Sequence, residues 1–78
     1  MNEAAKTPIR VVKHSIVIAG HRTSVSLEEP FWRALKEIAA TDGVSLAGLV
    51  ARVDEGRGTA NLSSALRVFA LERASGSK

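Results

Sequence analysis

The side chains with the clearest chemical potential are Arg22, Ser24 and Ser26, which stand at alternate positions of one short segment. A strand here would direct all three to one face, because successive side chains of a strand point to opposite faces. A guanidinium can donate two hydrogen bonds to guanine, and a serine hydroxyl can bond to several bases. The pattern therefore predicts a strand whose polar face contacts base edges in the major groove of DNA. Its other face would be formed by Thr23, Val25 and Leu27.

A strand of this length needs a neighbour, because its backbone groups would otherwise be unpaired along both edges. A second copy of the chain supplies one most economically, by pairing strand against strand in an antiparallel ribbon. The composition favours the same solution. The chain has 78 residues, of which 45% are hydrophobic and none is cysteine, so one copy has a marginal core without disulfide support. We therefore predict an obligate homodimer.

The segment before this strand, Val11–Ala19, is rich in β-branched residues and predicts either a separate strand or the first arm of a hairpin. Gly20-His21 would form the turn, since glycine takes the positive φ that a type II′ turn needs first. That turn predicts a register in which Ile18 lies opposite Thr23. In a dimer, two hairpins would make a four-stranded sheet about 14 Å wide, because strands lie about 4.8 Å apart. The major groove is about 12 Å wide, so this sheet would enter it less deeply than a two-stranded ribbon.

An amphipathic helix is predicted directly after the strand, over Glu29–Thr41. Pro30 suits its first turn, and Asp42-Gly43 is a typical helix end. A spacing of four and then three residues brings one apolar stripe to the inside. The predicted inward residues are Phe31, Leu35 and Ile38.

Two further helices are predicted downstream. One runs over Leu46–Glu55 after Ser45 as its N-cap, and the next runs from the N-cap Asn61 to about Arg73. The glycines of Gly56-Arg57-Gly58 predict a flexible break between them. The predicted organisation is a flexible arm at 1–10, a single α+β domain at 11–74 and a frayed tail at 75–78.

Positive charge is concentrated in the N-terminal part of the chain. The net charge is +3, and residues 1–25 alone carry an excess of that size, with only Glu3 opposing their cations. This asymmetry favours an anionic partner on the strand side. Lys13 is placed either to track the phosphates of such a partner or to protect an exposed strand edge from unwanted pairing.

The sequence holds no convincing catalytic or metal-binding constellation. His14 and His21 have no third ligand nearby. Asp54 and Glu55 are adjacent on a predicted helix, so they point about 100° apart and cannot form a catalytic pair. No apolar run is long enough to span a bilayer or to serve as a signal peptide. We expect a cytoplasmic protein that is not an enzyme and needs no cofactor.

Residues 22–53 resemble the ribbon-helix-helix family, the Arc- and MetJ-type repressors. The matching features are the alternating strand that ends at Leu27, the helix opened by Pro30, the break at Asp42-Gly43 and a second helix after Ser45. The stretch from Lys13 to the third helix looks like a small bacterial subfamily with an additional N-terminal strand and C-terminal helix.

The resemblance implies an intertwined homodimer that inserts paired strands into the major groove of double-stranded DNA and acts as a transcriptional repressor. A helix N-terminus also suits a phosphate group, because its first amides are unpaired and carry partial positive charge. The implied base contacts are Arg22, Ser24 and Ser26. The implied phosphate contacts are Ser45 and the backbone amides of Leu46 and Ala47. The predicted dimer core is Val25, Leu27, Phe31, Leu35, Leu49 and Val50.

Two other functions stay open. A protein-interaction module on the same scaffold would use the broad sheet, together with Trp32 and the third helix, without reading bases. An antitoxin ranks last, because no toxin-binding tail follows the third helix. A DNA-binding transcriptional regulator is the leading hypothesis.

Overall fold

A computed structural model describes residues 9–76, so residues 1–8 of the predicted arm and residues 77–78 of the predicted tail lie outside the described residues. Two strands are followed by three helices, which confirms the predicted α+β class, and each element begins and ends within one residue of its predicted bounds. No helix within the described range is long and apolar enough to cross a membrane. The elements are β1 (Val11–Ile18), β2 (His21–Glu28), α1 (Glu29–Asp42), α2 (Leu46–Gly56) and α3 (Leu62–Ala74).

The two strands form an antiparallel hairpin within one chain, but its predicted register is wrong by two residues. Ile18 pairs with His21, and Thr23 pairs with Ile16. The reason is that Ala19 and Gly20, with φ of 52° and 81°, form the turn one position earlier than predicted. Positive φ at both central residues is the geometry of a type I′ turn. A shift of two residues leaves every side chain on its predicted face, because the side-chain period is two.

The hairpin gives β2 a neighbour within its own chain, so the argument that a second copy is the most economical partner applies only to the other edge. The sheet of the single chain contains β1 and β2, so β2 has a neighbour along one edge and an open edge along the other. The inner face of the hairpin packs on the helices in one shared core. Its most deeply buried side chains are Leu27, Leu35, Leu49, Val50 and Leu66.

The inward face of α1 is rotated from the predicted one. Trp32, Leu35 and Ala39 are buried, whereas Phe31 and Ile38 are only partly buried. The rotation occurs because the backbone of β1 supplies a hydrogen-bond acceptor for the Trp32 indole inside the core. The Trp32 Nε1–H donates to the Val12 carbonyl at 3.0 Å, and the side chain is 2% exposed. The interpretation of Trp32 as a partner-binding residue is therefore wrong.

The predicted helix caps are confirmed. Gly43 ends α1 with φ of 72°, a left-handed conformation that a residue without Cβ adopts easily. Ser45 accepts a hydrogen bond from the Gly48 amide at 2.9 Å. Asn61 accepts one from the Ser64 amide at 2.8 Å. Each side chain satisfies an amide that has no partner within its own helix.

The turn between α2 and α3 is held by side-chain contacts, although its glycines predicted a flexible break. The Arg57 guanidinium donates to the Asp54 carboxylate and to the Ala60 carbonyl, both at 2.6 Å. At the other end of α3, the Ser75 amide donates to the Leu71 carbonyl at 2.9 Å. Ser75 therefore closes the helix, although it falls within the predicted frayed tail.

Two ion pairs attach α3 to earlier elements. Arg67 donates to both carboxylate oxygens of Glu28 at 2.9 and 3.3 Å. Arg73 donates to both oxygens of Asp42 at 3.0 and 2.9 Å. The hydrogen bond from Arg67 lowers the pKa of Glu28 below its ordinary 4.5. In the same way, the hydrogen bond from Arg73 lowers the pKa of Asp42 below 3.8.

These lowered pKa values predict that the fold loses stability in acid. A carboxyl whose pKa is lower in the folded state stabilises the fold above its unfolded pKa, and this contribution disappears as the pH falls through the folded value. The free energy of unfolding, measured in urea from pH 7 to pH 2.5, should fall below about pH 4.5. Arg67→Gln should flatten part of that slope, while Arg22→Gln, which removes an exposed cation that lies in neither ion pair, serves as the control. Identical pH profiles for wild type and Arg67→Gln would contradict the role of the Glu28 pair.

Candidate nucleic-acid interface

The face of the hairpin that points away from the helices carries the predicted base-contacting residues. Arg22, Ser24 and Ser26 alternate on β2 with the buried side chains, and all three are exposed. The paired strand adds a second row, in which Lys13 lies opposite Ser26, Ser15 opposite Ser24, and Val17 opposite Arg22. We call this surface the outer face. Its members are Val11, Lys13, Ser15, Val17, Arg22, Ser24, Ser26 and Glu28, the last of which is paired with Arg67.

The outer face has small side chains at its centre and cations toward diagonally opposite ends. Ser15 and Ser24 form the central cross-strand pair, while Lys13 and Arg22 stand on opposite strands near opposite ends. Hydroxyls and a guanidinium are suitable groups for contacts to base edges and phosphates. The outer face has no aromatic side chain, so it cannot stack unpaired bases as single-strand binding surfaces do. This chemistry favours a duplex over a single strand.

Among residues 9–76, the cations of the α2–α3 part form ion pairs, with Arg52 as the exception, whereas those of the hairpin and α1 do not. Three arginines of the α2–α3 part form ion pairs, namely Arg57, Arg67 and Arg73. By contrast, the described cations of the hairpin and α1 take part in none of these pairs. They are Arg10, Lys13, Arg22, Arg33 and Lys36. Unpaired positive charge therefore lies on the outer face and along one flank of α1, which suits a polyanion.

The open edge of β2 is available for backbone pairing over part of its length. In an antiparallel sheet, pairs of opposite residues alternate between hydrogen-bonded and non-hydrogen-bonded pairs. The position of the two-residue turn, and the hydrogen bond from the Glu29 amide to the Arg10 carbonyl at 2.8 Å, identify the hydrogen-bonded pairs of the hairpin. By this alternation, the backbone groups of Arg22, Ser24 and Ser26 point to the open edge. The Ser26 carbonyl there accepts from the Ser63 hydroxyl at 2.9 Å.

The contacts of α3 with this edge are the part that sequence reasoning missed. Ser63 reaches Ser26, and Arg67 reaches Glu28, across separations of 37 and 39 residues. Neither contact has a local signal, because serine and arginine on a helix are usually solvated. Toward the turn the edge stays open, beside a cleft of about 410 Å³ between β2 and the α2–α3 turn.

The predicted phosphate anchor lies at the start of α2. Ser45 is exposed, and its hydroxyl caps α2 by accepting a hydrogen bond from the Gly48 amide. Leu46 and Ala47 are half-buried at the first two helical positions, where amides lack intrahelical acceptors. Because the Ser45 hydroxyl is already bonded to the Gly48 amide, the amides of Leu46 and Ala47 are the groups that would contact a phosphate.

The predicted dimer core lies almost entirely inside one chain. Phe31 is the exception, because it is partly exposed beside the buried Trp32. A single copy thus buries most of the apolar residues that were assigned to the contact between copies. The members buried in one chain are Val25, Leu27, Leu35, Leu49 and Val50.

Comparisons with known proteins agree with this architecture. The chain matches the ribbon-helix-helix domain family over residues 11–74. It is similar in structure to an uncharacterized protein from Bordetella pertussis Tohama I, with a TM-score of 0.73 and 39% sequence identity. That similarity covers 87% of this chain and 62% of the other, so the chain spans less than two thirds of that protein's length. A comparison with curated proteins gave no match. Because the family match extends from the first strand to the end of the third helix, the chain belongs to the ribbon-helix-helix family.

Proposed function

We propose that the protein is a homodimer that binds double-stranded DNA through the outer face of its hairpins and acts as a transcriptional repressor in the bacterial cytoplasm. The observation that carries the proposal is the exposed row Arg22, Ser24 and Ser26, on a surface whose cations are unpaired. Membership in the ribbon-helix-helix family supports it, because such domains are typical of DNA-binding regulators.

The dimer forms by antiparallel pairing of the open edges of β2. Arg22 and Ser24 have backbone groups that point to the part of this edge that α3 leaves open, so the two-fold axis lies close to them. The resulting sheet has the strand order β1-β2-β2-β1 and is about 14 Å wide. Against a major groove about 12 Å wide, the two central strands lie over the base pairs and the outer strands over the groove walls.

The side chains of this sheet have different reach. Serine has a short side chain, whereas the long side chain of Arg22 extends toward the bases from a sheet that lies at the entrance of the groove. Arg22 therefore provides most of the base recognition, with Ser24 and Ser26 as closer-range contacts. Phosphates are bound by Ser45 with the amides of Leu46 and Ala47, and by Lys13.

Arg22→Ala tests the proposal directly. Binding to the cognate duplex should weaken by about 1–3 kcal/mol, and the preference over a random duplex should relax, because the variant cannot make a bidentate hydrogen bond to a base. The measurement is fluorescence anisotropy with DNA from upstream of the protein's own gene and a random duplex, from low to physiological salt. Arg52→Ala, which removes an exposed cation of α2, is the matched control.

The result that contradicts base reading is an equal loss for Arg22→Ala on every sequence, which would make Arg22 a phosphate contact. If wild type shows no preference and salt removes all binding, only general charge attraction is present.

A protein-interaction module is the second candidate. It is favoured by a groove of about 420 Å³ between α2 and α3, lined by the apolar side chains of Val53, Val68 and Phe69. Val68 and Leu71 are more than half exposed on α3. This candidate gains support if the anisotropy experiment finds no sequence preference in the wild type.

A further inference from the structure

A second cationic surface lies on the flank of α1 that faces β1. Glu29, Trp32, Arg33 and Lys36 are spaced so that they share one face of the helix, since residues three and four apart are neighbours. Together with Val12 and His14 of β1 they line a cleft of about 320 Å³. We call this surface the α1 flank.

The cleft has an apolar floor and a charged rim. Trp32 is buried at its base, and the His14 ring packs on the indole with centroids 4.3 Å apart. Arg33 and Lys36 are exposed on the rim and take part in no ion pair within residues 9–76. Glu29 is the single carboxylate among the lining residues.

Neighbouring charges make this margin of the protein more positive. Lys13 follows Val12 on β1, and Arg10 precedes the strand, with its carbonyl bonded to the Glu29 amide. The next carboxylate of α1, Glu37, lies on the opposite flank, where it lines a groove between α1 and α3. The flank that faces β1 therefore has an excess of cations, although α1 as a whole does not.

We propose that the α1 flank binds phosphodiester groups of the DNA backbone that borders the major groove, with Arg33 and Lys36 as the phosphate contacts. This inference rests on the proposed function. In the order β1-β2-β2-β1, each β1 lies roughly 7 Å from the two-fold axis. The half-width of the groove is about 6 Å, so the outer edge of β1 and the adjacent α1 flank lie over the phosphate backbone. The extra strand thus widens the surface that holds the duplex.

Single charge changes test this role. Arg33→Gln and Lys36→Gln should each weaken binding to cognate and random duplexes alike, by roughly fivefold near physiological salt, because each variant lacks one contact to a phosphate group. The dependence of log K on log salt should fall by about one in each variant. Glu29→Gln should have the opposite effect, because it removes the negative charge from the rim. Arg52→Gln removes an equal charge from α2 and should leave affinity and salt dependence close to wild type.

A local readout separates direct contact from a change in overall charge. The chain has one tryptophan, so the Trp32 indole gives a single N–H resonance at the floor of the cleft. Addition of duplex should shift it in wild type and shift it less in Lys36→Gln. Inorganic phosphate at the same phosphate concentration should leave it unchanged, because one free anion lacks the reach of a backbone across the rim.

Each contrary outcome has a distinct meaning. If wild type and Arg22→Ala behave as proposed while Arg33→Gln, Lys36→Gln and Arg52→Gln bind equally, the α1 flank does not touch the duplex and the proposed function stands. A shift with inorganic phosphate as large as with duplex would make the cleft a site for small anions and overturn this inference. If wild type binds neither duplex, both proposals are wrong.

Discussion

Leu27→Asp is expected to leave the chain unfolded at 25 °C, whereas an acidic residue on the other face of the same strand is expected to be tolerated. The Leu27 side chain is fully buried in the core. Burying an unpaired carboxylate costs several kcal/mol, and the missing burial of leucine adds about 1.5–3 kcal/mol. A domain of this size has a total stability near the lower end of about 5–15 kcal/mol. Far-UV circular dichroism and urea unfolding measure the result.

Ser24→Asp is the matched control for that variant. Ser24 is exposed on the outer face of the same strand, so the substitution adds an equal charge without burying it. It should keep a folded spectrum and a cooperative urea transition while weakening binding to duplex DNA, because the new charge stays in solvent and faces phosphates. A folded, soluble Leu27→Asp variant would contradict the inner-face assignment of β2.

Trp32→Ala is expected to reduce the free energy of unfolding by about 3–5 kcal/mol, the usual cost of truncating a buried aromatic side chain. The side chain is 2% exposed and bridges α1 to β1 through the Val12 carbonyl. Trp32→Phe keeps an aromatic ring but removes the donor, and the absence of that hydrogen bond alone should cost about 1 kcal/mol. Unfolding in urea should be followed by circular dichroism, because both variants lack the only tryptophan.

Phe31→Ala provides the comparison on the adjacent helix position. Phe31 is partly buried, so its truncation should cost less than that of Trp32 at low protein concentration. If Phe31 packs against a second copy, its cost should grow with protein concentration, since stability is linked to association. Equal reductions in stability for the two variants at every concentration would contradict the assignment of Trp32, rather than Phe31, to the core of one chain.

Local signals in the sequence were sufficient for the elements and for most faces. The alternation over β2 placed Arg22 and Ser24 outward and Val25 inward, as the burial pattern confirms. The caps Ser45 and Asn61 were also predictable, because a side chain that satisfies an amide three residues on acts within one turn of helix. Such features depend only on residues that are close together in the sequence, so the sequence alone is enough to predict them.

The errors arose where distant parts of the chain compete. The hairpin register changed because Ala19 accepts a left-handed conformation that its residue type does not favour. The inward face of α1 turned toward Trp32 because β1 supplies an acceptor at Val12, 20 residues away in sequence. Neither choice has a local signal, since each depends on how well the whole hairpin packs on the helices.

The sequence by itself determined the order and length of the elements, the two faces of β2 and the capped start of α2, because backbone propensity and side-chain period act over a few residues. Only the tertiary structure decided that β1 pairs with β2, that α3 reaches Ser26 and Glu28, and that Arg33 and Lys36 stand beside the edge of the sheet. These contacts join residues far apart in the chain. Their formation depends on the balance of burial, pairing and chain entropy over the whole domain, which no short segment contains.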